Sequence, residues 1–278
     1  MAVSVAGTGF GPISVAAGRI TLGAVILFTL TRAMRLTLPS IRGAEGPKIW
    51  ASALGLGVFS MALPFFLLSW GQLFVASGFA GVTMAAGPLL TLVLAHFLVV
   101  GERITTPKAV GIAIGFIGVL ILIGFDALQS SGEGLEPIAR LACFGAAASY
   151  AIGSILTRRA PPVDPISFAT IGTLLGALII LPIALLLEGI PDAPGTMPIL
   201  AIIFLGAIPT ALANLLLVSI IRSAGPSFIS LVNYQVPVWS VFFGWAFLSE
   251  SLPGRVFVAL GLILLGVAIS QSFKRKNQ

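Results

Sequence analysis

Between Lys48 and Glu102 the chain contains no Asp, Glu, Lys or Arg. Residues 49–101 are thus long enough to cross a bilayer twice, since about 20 apolar residues span its hydrocarbon core as a helix. A tight turn near Gln72–Gly78 would join the two crossings. The rest of the chain has the same character. Hydrophobic residues make up 58% and charged residues 9%, against about 25% charged in soluble domains. So few charges cannot cover a water-facing surface, and the solvent for most of the molecule is lipid. Helices and closed barrels alone satisfy the backbone there. The apolar runs are continuous rather than alternating, which selects helices. Cys143, the single cysteine, lies in such a run and reads as a small buried hydrophobe.

Charge-free runs between loop signals predict nine spans: 14–31, 49–71, 78–99, 109–125, 136–157, 166–187, 197–221, 226–248 and 256–273. Arg and Lys then orient them. Alternate loops place Arg32, Arg35, Arg42, Lys48, Arg103, Lys108, Arg158, Arg159, Arg222, Lys274, Arg275 and Lys276 on one side. The opposite side holds Arg140 and Arg255, with Asp126, Glu133, Glu136, Glu188, Asp192 and Glu250. Bases collect on cytoplasmic loops, so a multi-pass protein of the bacterial inner membrane is expected, with its C-terminus cytoplasmic and Met1 outside. The same distribution argues against nucleic acid as a partner, because the net charge of +6 is spread over short loops and the tail.

Residues 12–28 align without gaps on 165–181, with 8 of 17 positions identical. Pro88 and Glu102 correspond to Pro237 and Glu250. Each acid precedes a Gly-rich closing helix, with Gly111, Gly115 and Gly118 against Gly261 and Gly266. The chain therefore reads as one unit repeated, over 1–127 and 136–273, followed by a basic tail at 274–278. Glu102 falls on the basic side and Glu250 on the other, so the copies are inverted. The second copy has five helices and the first has four, because residues 1–11 match 154–164, the tail of the second copy's leading helix. A five-plus-five arrangement needs about 20 further N-terminal residues. The expectation is a chain that begins inside or just after a first helix, with a genuine nine-span protein as the alternative.

Gly87-Pro88, Gly101-Glu102-Arg103, Arg19 in AAGRITLGA, and Pro237 with Ser249-Glu250-Ser251 carry a family resemblance. Set in inverted five-helix repeats, they resemble the EamA family of the drug/metabolite transporter superfamily over essentially the whole chain. The resemblance implies an all-α polytopic membrane fold and specifies architecture far better than substrate. It implies efflux or facilitated transport of small metabolites, amino-acid-like or drug-like. The departure is the absent first helix, which in that family helps to wall the central cavity.

Inverted repeats suit alternating access around a site near the bilayer midplane. Such a site needs polar or aromatic groups that lipid otherwise excludes. The candidates are Asn233, Tyr234 and Gln235 before Pro237; Asn214, with Pro209 and Thr210 nearby; Tyr150 with Ser149; and Trp70 with Gln72. The competing reading of the amides is packing glue between helices, worth about 0.6 kcal/mol each. Pro88 and Pro237 read equally as kinks and as parts of a gate. Arg19 lies a few residues into its span, where snorkelling or pairing with an acid such as Glu250 suits it, and a gating role is favoured over substrate contact. His96 is the one candidate proton carrier, weighed against an ordinary interfacial histidine.

No carboxylate lies mid-span, which leaves energy coupling open and fits a facilitator or exchanger. An intramembrane enzyme would need a facing Ser and His or several metal ligands, and the chain has one histidine. No catalytic set, metal site or cofactor is expected. The expected partners are the lipid bilayer and a small-molecule substrate, and a homodimer is compatible with the pattern. A passive channel or facilitator is the alternative to an alternating-access carrier, and a non-transporting scaffold comes after it.

Overall fold

The computed structural model describes residues 2–71, 73–75, 80, 83–84, 86–123, 134–191, 193–232 and 254–271. These residues form helices and no strand. In chain order the helices are α1 (Ala2–Ala6), α2 (Pro12–Ala33), α3 (Gly46–Gly71), α4 (Gly87–Leu98), α5 (Thr106–Ile123), α6 (Glu136–Arg159), α7 (Pro165–Leu187), α8 (Thr196–Ala224), α9 (Pro226–Val232) and α10 (Gly254–Gln271). Helices α2, α3, α4 and α7 each carry a proline in the first turn, where its missing N–H would be unsatisfied anyway. Five helices, α2, α3, α6, α7 and α8, are long and apolar enough to cross a membrane, and α4, α5 and α10 contain shorter apolar stretches. The expected spans at 78–99 and 226–248 are described in part, by α4 and α9, and their remaining residues lie outside the described set.

Contacts divide the chain into two compact units, residues 1–69 with 152–223 and residues 70–151 with 224–278. Each unit draws on both copies of the sequence repeat. In the first unit α2 packs along α7, the helix that carries the equivalent motif. Their directions follow from two contacts. Glu188, the residue after α7, accepts hydrogen bonds from the backbone N–H of Ile13 (2.9 Å) and Ser14 (2.7 Å) at the start of α2. At the other end, the Thr31 hydroxyl meets that of Thr170 at 2.7 Å. The beginning of one helix thus lies at the end of its counterpart. Two copies of one motif run in opposite directions, as an inverted repeat requires.

The second unit repeats the arrangement with the closing helices. Helix α5 packs along α10, and the Gly-rich faces let their backbones approach closely. A Cβ at Gly118 would lie 2.9 Å from Ala259 O and 3.0 Å from Ile263 N, while one at Gly111 would run into Gly266 O. Gly111 therefore lies beside Gly266 and Gly118 beside Ala259, so this pair is also antiparallel. Ile112, Val119, Ile263 and Leu92 close the apolar core around it.

Both long hairpin-forming helices contain a π-helical turn at the same place in the repeat. In α3 it covers Gly57–Ala62 and in α8 Ala207–Leu212. Leu63 N–H reaches back five residues to Val58 O, and Ala213 N–H does the same to Ile208 O. Turns of this type are rare and recur at functional sites. The α3 turn packs on α7 and the α8 turn on α2. Gly57 permits the first contact, because a Cβ there would lie 2.6 Å from Gly172 O and 2.8 Å from Gly176 N. Gly23, the repeat equivalent of Gly176, permits the second, where a Cβ would lie 2.8 Å from Thr210 Cγ2.

Candidate functional site

The π-helical turn of α8 has a chemical origin in Pro209. A proline has no N–H to donate, so it leaves helix carbonyls one turn back without their usual partner. Thr210 compensates, its hydroxyl donating to Leu205 O at 2.8 Å. Arg19 of α2 then meets this turn from the side. Its Nε donates to Thr210 Oγ1 at 2.9 Å and its Nη2 to Pro209 O at 3.3 Å. The guanidinium also lies 4.8 Å from the centre of the Phe65 ring in α3, within reach of a cation–π interaction. A cation far inside an apolar helix pair is thus held by one hydroxyl, one carbonyl and one aromatic face.

One turn beyond Thr210, Asn214 is 4% exposed. Its Nδ2 donates to Thr173 Oγ1 at 2.6 Å, and Thr173 in turn donates to Ala169 O at 2.7 Å. The Asn214 carbonyl oxygen is buried with no hydrogen-bond partner. Leaving such an acceptor unpaired costs about 1–3 kcal/mol, which packing alone does not explain. Further along α2 and α7, Thr31 and Thr170 extend the polar path, with Thr170 Oγ1 also 3.3 Å from Leu27 O. A polar seam therefore runs through the first unit where α2, α7 and α8 meet.

The seam is not symmetric. Arg19 aligns with Gly172 in the other copy. There a Cβ would lie 3.0 Å from Leu56 Cγ, so leucine fills the crossing that the arginine occupies on its own side. The inverted repeat supplies matching turns, and only one of them is furnished with a cation.

A family model, the EamA-like transporter family, matches this chain twice, over residues 1–124 and 137–271. The chain belongs to that family. An uncharacterized transporter of Archaeoglobus fulgidus is 28% identical over 93% of this chain and 88% of its own length. The uncharacterized transporter YoaV of Bacillus subtilis is 25% identical over 93% and 87%. A protein of Chlamydia trachomatis described as an S-adenosylmethionine/S-adenosylhomocysteine transporter is 24% identical over 92% and 79%. A crystal structure at 21% identity covers 99% of this chain and 92% of its own, with a TM-score of 0.83, and that likeness concerns the fold. Family and fold together make this EamA protein a multi-pass membrane transporter.

The sequence-predicted residues distribute unevenly. Asn214 and Arg19 fall in the first unit, on the polar seam just described. Trp70, Tyr150, Pro88 and His96 fall in the second. Trp70 is half-buried and tilted against Phe74, with ring centres 5.3 Å apart. Tyr150 is half-buried beside the buried Ser149, and Pro88 is buried in the first turn of α4. His96 is exposed near the end of α4, where its Nδ1 accepts from Ile104 N at 3.3 Å and its ring meets Phe97 edge-on. Asn233, Tyr234, Gln235, Gln72 and Pro237 lie outside the described residues, as does Glu250, the suggested partner of Arg19. Among the described residues no group of three or more His, Cys, Asp and Glu is placed to hold a metal.

Three features had no place in the sequence reading. Thr173 and Phe65 complete the seam, and Glu188 caps α2 from a distance of 175 residues along the chain. Thr170 and Thr173, three apart in SFATIGT, were the one available signal, since that spacing puts both on one face of a helix.

Proposed function

We propose that this EamA protein exports or exchanges a small amphipathic metabolite by alternating access, and that the seam around Arg19 and Asn214 belongs to its substrate path. The observation that carries the reading is the unpartnered, buried carbonyl of Asn214 one turn from a π-helical turn gripped by Arg19. An acceptor left unpaired in one conformation is a group that a substrate or a second conformation pairs. Buried polar groups of this kind mark substrate pathways in membrane proteins. An amino-acid-like or drug-like solute fits the cationic, hydroxyl and amide groups on offer. The relative described as carrying S-adenosylmethionine and S-adenosylhomocysteine makes those two compounds the first to try. Asn233, Tyr234, Gln235, Tyr150, Trp70 and Gln72 complete the proposed cavity, Pro88 and Pro237 its gate, and His96 the one candidate for proton coupling. Inner-membrane residence with a cytoplasmic C-terminus is part of the same reading.

The test is counterflow in proteoliposomes. Vesicles preloaded with an unlabelled compound should accumulate its labelled form transiently and saturably, and Asn214→Leu should abolish that overshoot without loss of reconstituted protein. Uptake that rises linearly with concentration and never overshoots would favour a passive channel instead.

A further inference from the structure

At the basic end of the first unit, α6 and α8 finish side by side and each lends the other an arginine. Arg158 Nη1 donates to Ile221 O at 3.3 Å and to Arg222 O, the last carbonyls of α8. Arg222 Nη2 donates to Pro161 O at 3.0 Å, just past the end of α6. The Arg222 guanidinium also lies 5.7 Å from the centre of the Phe168 ring. This reciprocal capping suits the negative ends of two helix dipoles, which amount to about half a charge each. Two full positive charges stand there, so the caps leave a positive excess.

The nearby acid does not remove it. Asp164 is committed to the start of α7, where it accepts from Ser167 N at 2.9 Å. The three ion pairs among the described residues are Lys48–Glu45, Lys108–Glu102 and Arg140–Glu136, and neither Arg158 nor Arg222 takes part. Each guanidinium carries five N–H donors in a fixed fork, yet the two make three hydrogen bonds between them. Arg222 Nη1 is buried without a partner. Arg159 adds an exposed third cation at the same helix end.

We propose that Arg158 and Arg222 form a binding site for a phosphate-bearing anion. The guanidinium fork matches two oxygens of a phosphate, and both residues sit at span ends, the depth at which lipid phosphates lie. Lipid headgroup and free phosphate share the chemistry. The site stands apart from the Arg19 seam and does not depend on the transport reading.

Native mass spectrometry of the full chain tests it, with phosphatidylglycerol competed against phosphatidylcholine. The wild-type protein should retain phosphatidylglycerol preferentially, and R158Q/R222Q should lower that preference about tenfold or more. The control R42Q/K48Q removes two exposed bases from the loop before α3 and should leave it unchanged. Equal preference in wild type and R158Q/R222Q, or an equal loss in the control, overturns the proposal. If the double variant does not purify as a monodisperse species, R158Q and R222Q singly are each expected to lose about threefold, and unchanged retention in both overturns it. Inorganic phosphate then separates the sources. Displacement of phosphatidylglycerol at millimolar phosphate assigns the site to either form, and retention of the lipid assigns it to the headgroup.

Discussion

The carboxylate of Glu188 accepts the backbone N–H of Ser14 at 2.7 Å, tying the end of α7 to the start of α2. The equivalent start, that of α7, is capped locally by Asp164. Gly11 stands at the Asp164 position in the first copy and has no side chain to offer. One copy thus caps itself and the other is capped by its counterpart.

That asymmetry can be exchanged. Glu188→Ala is expected to cost about 1–2 kcal/mol, the range for loss of a helix cap, read as a lower Tm of the detergent-purified protein. Gly11→Asp alone should also destabilise, because its side chain would run into the Glu188 carboxylate. Combined with Glu188→Ala, the aspartate should restore most of the loss. A double variant no more stable than Glu188→Ala would show that local capping cannot replace the long-range one.

Asn214→Leu separates stability from transport. It removes the unpartnered carbonyl together with the amide, so thermal stability should hold or rise while counterflow disappears. Thr173→Val should act in the opposite sense, stranding Asn214 Nδ2 and lowering stability by about 1–3 kcal/mol. A large loss of stability in Asn214→Leu would make the residue packing glue.

Arg19 is expected to resist conservative replacement. Lysine keeps the charge but cannot reach Thr210 Oγ1 and Pro209 O together as the fork does. Arg19→Lys should cost about 2 kcal/mol, seen as roughly a thirtyfold fall in counterflow rate if the transporting state needs both bonds. Near-normal rates in Arg19→Lys would reduce the residue to an interchangeable charge.

Close backbone contact at the α3 turn gives a fourth expectation. Gly57→Ala places a Cβ against Gly172 O and Gly176 N and should lower the folded fraction by about 1–3 kcal/mol. Gly261 in α10 has open space around its Cα, so Gly261→Ala should be neutral or stabilising by up to about 1 kcal/mol. Size-exclusion profiles across a heating series would rank the two.

For residues outside the described set, Asn233→Leu and Gln235→Leu are expected to abolish counterflow at normal expression. His96→Gln should leave the rate unchanged at constant pH, since the exposed ring already serves the backbone of Ile104. Normal transport in both amide variants would remove that cluster from the cavity.

The inverted architecture was legible because helices packed on their own counterparts keep similar sequences, as 12–28 and 165–181 do. Asn214 and Arg19 were legible because lipid makes any polar residue conspicuous. The long-range cap was not, since Glu188 reads like any acid after a helix and its partner lies 175 residues away. Nor were the π-helical turns. GVFSMA and AIPTAL satisfy an apolar span in either geometry, and Pro209 alone hints at disturbed hydrogen bonding. Thr173 needed the register of α7 against α8, which hydropathy does not contain.

The two turns at Gly57–Ala62 and Ala207–Leu212 each close their hydrogen bonds over one residue more than an α-turn does. Each is therefore a joint one codon wide. Deleting a single residue there would return the helix to a uniform ladder and swing everything beyond it by about a quarter of a turn. In α8 that swing would carry Asn214 off Thr173, so the reading frame of the gene, as much as its residue choice, holds the polar seam in line.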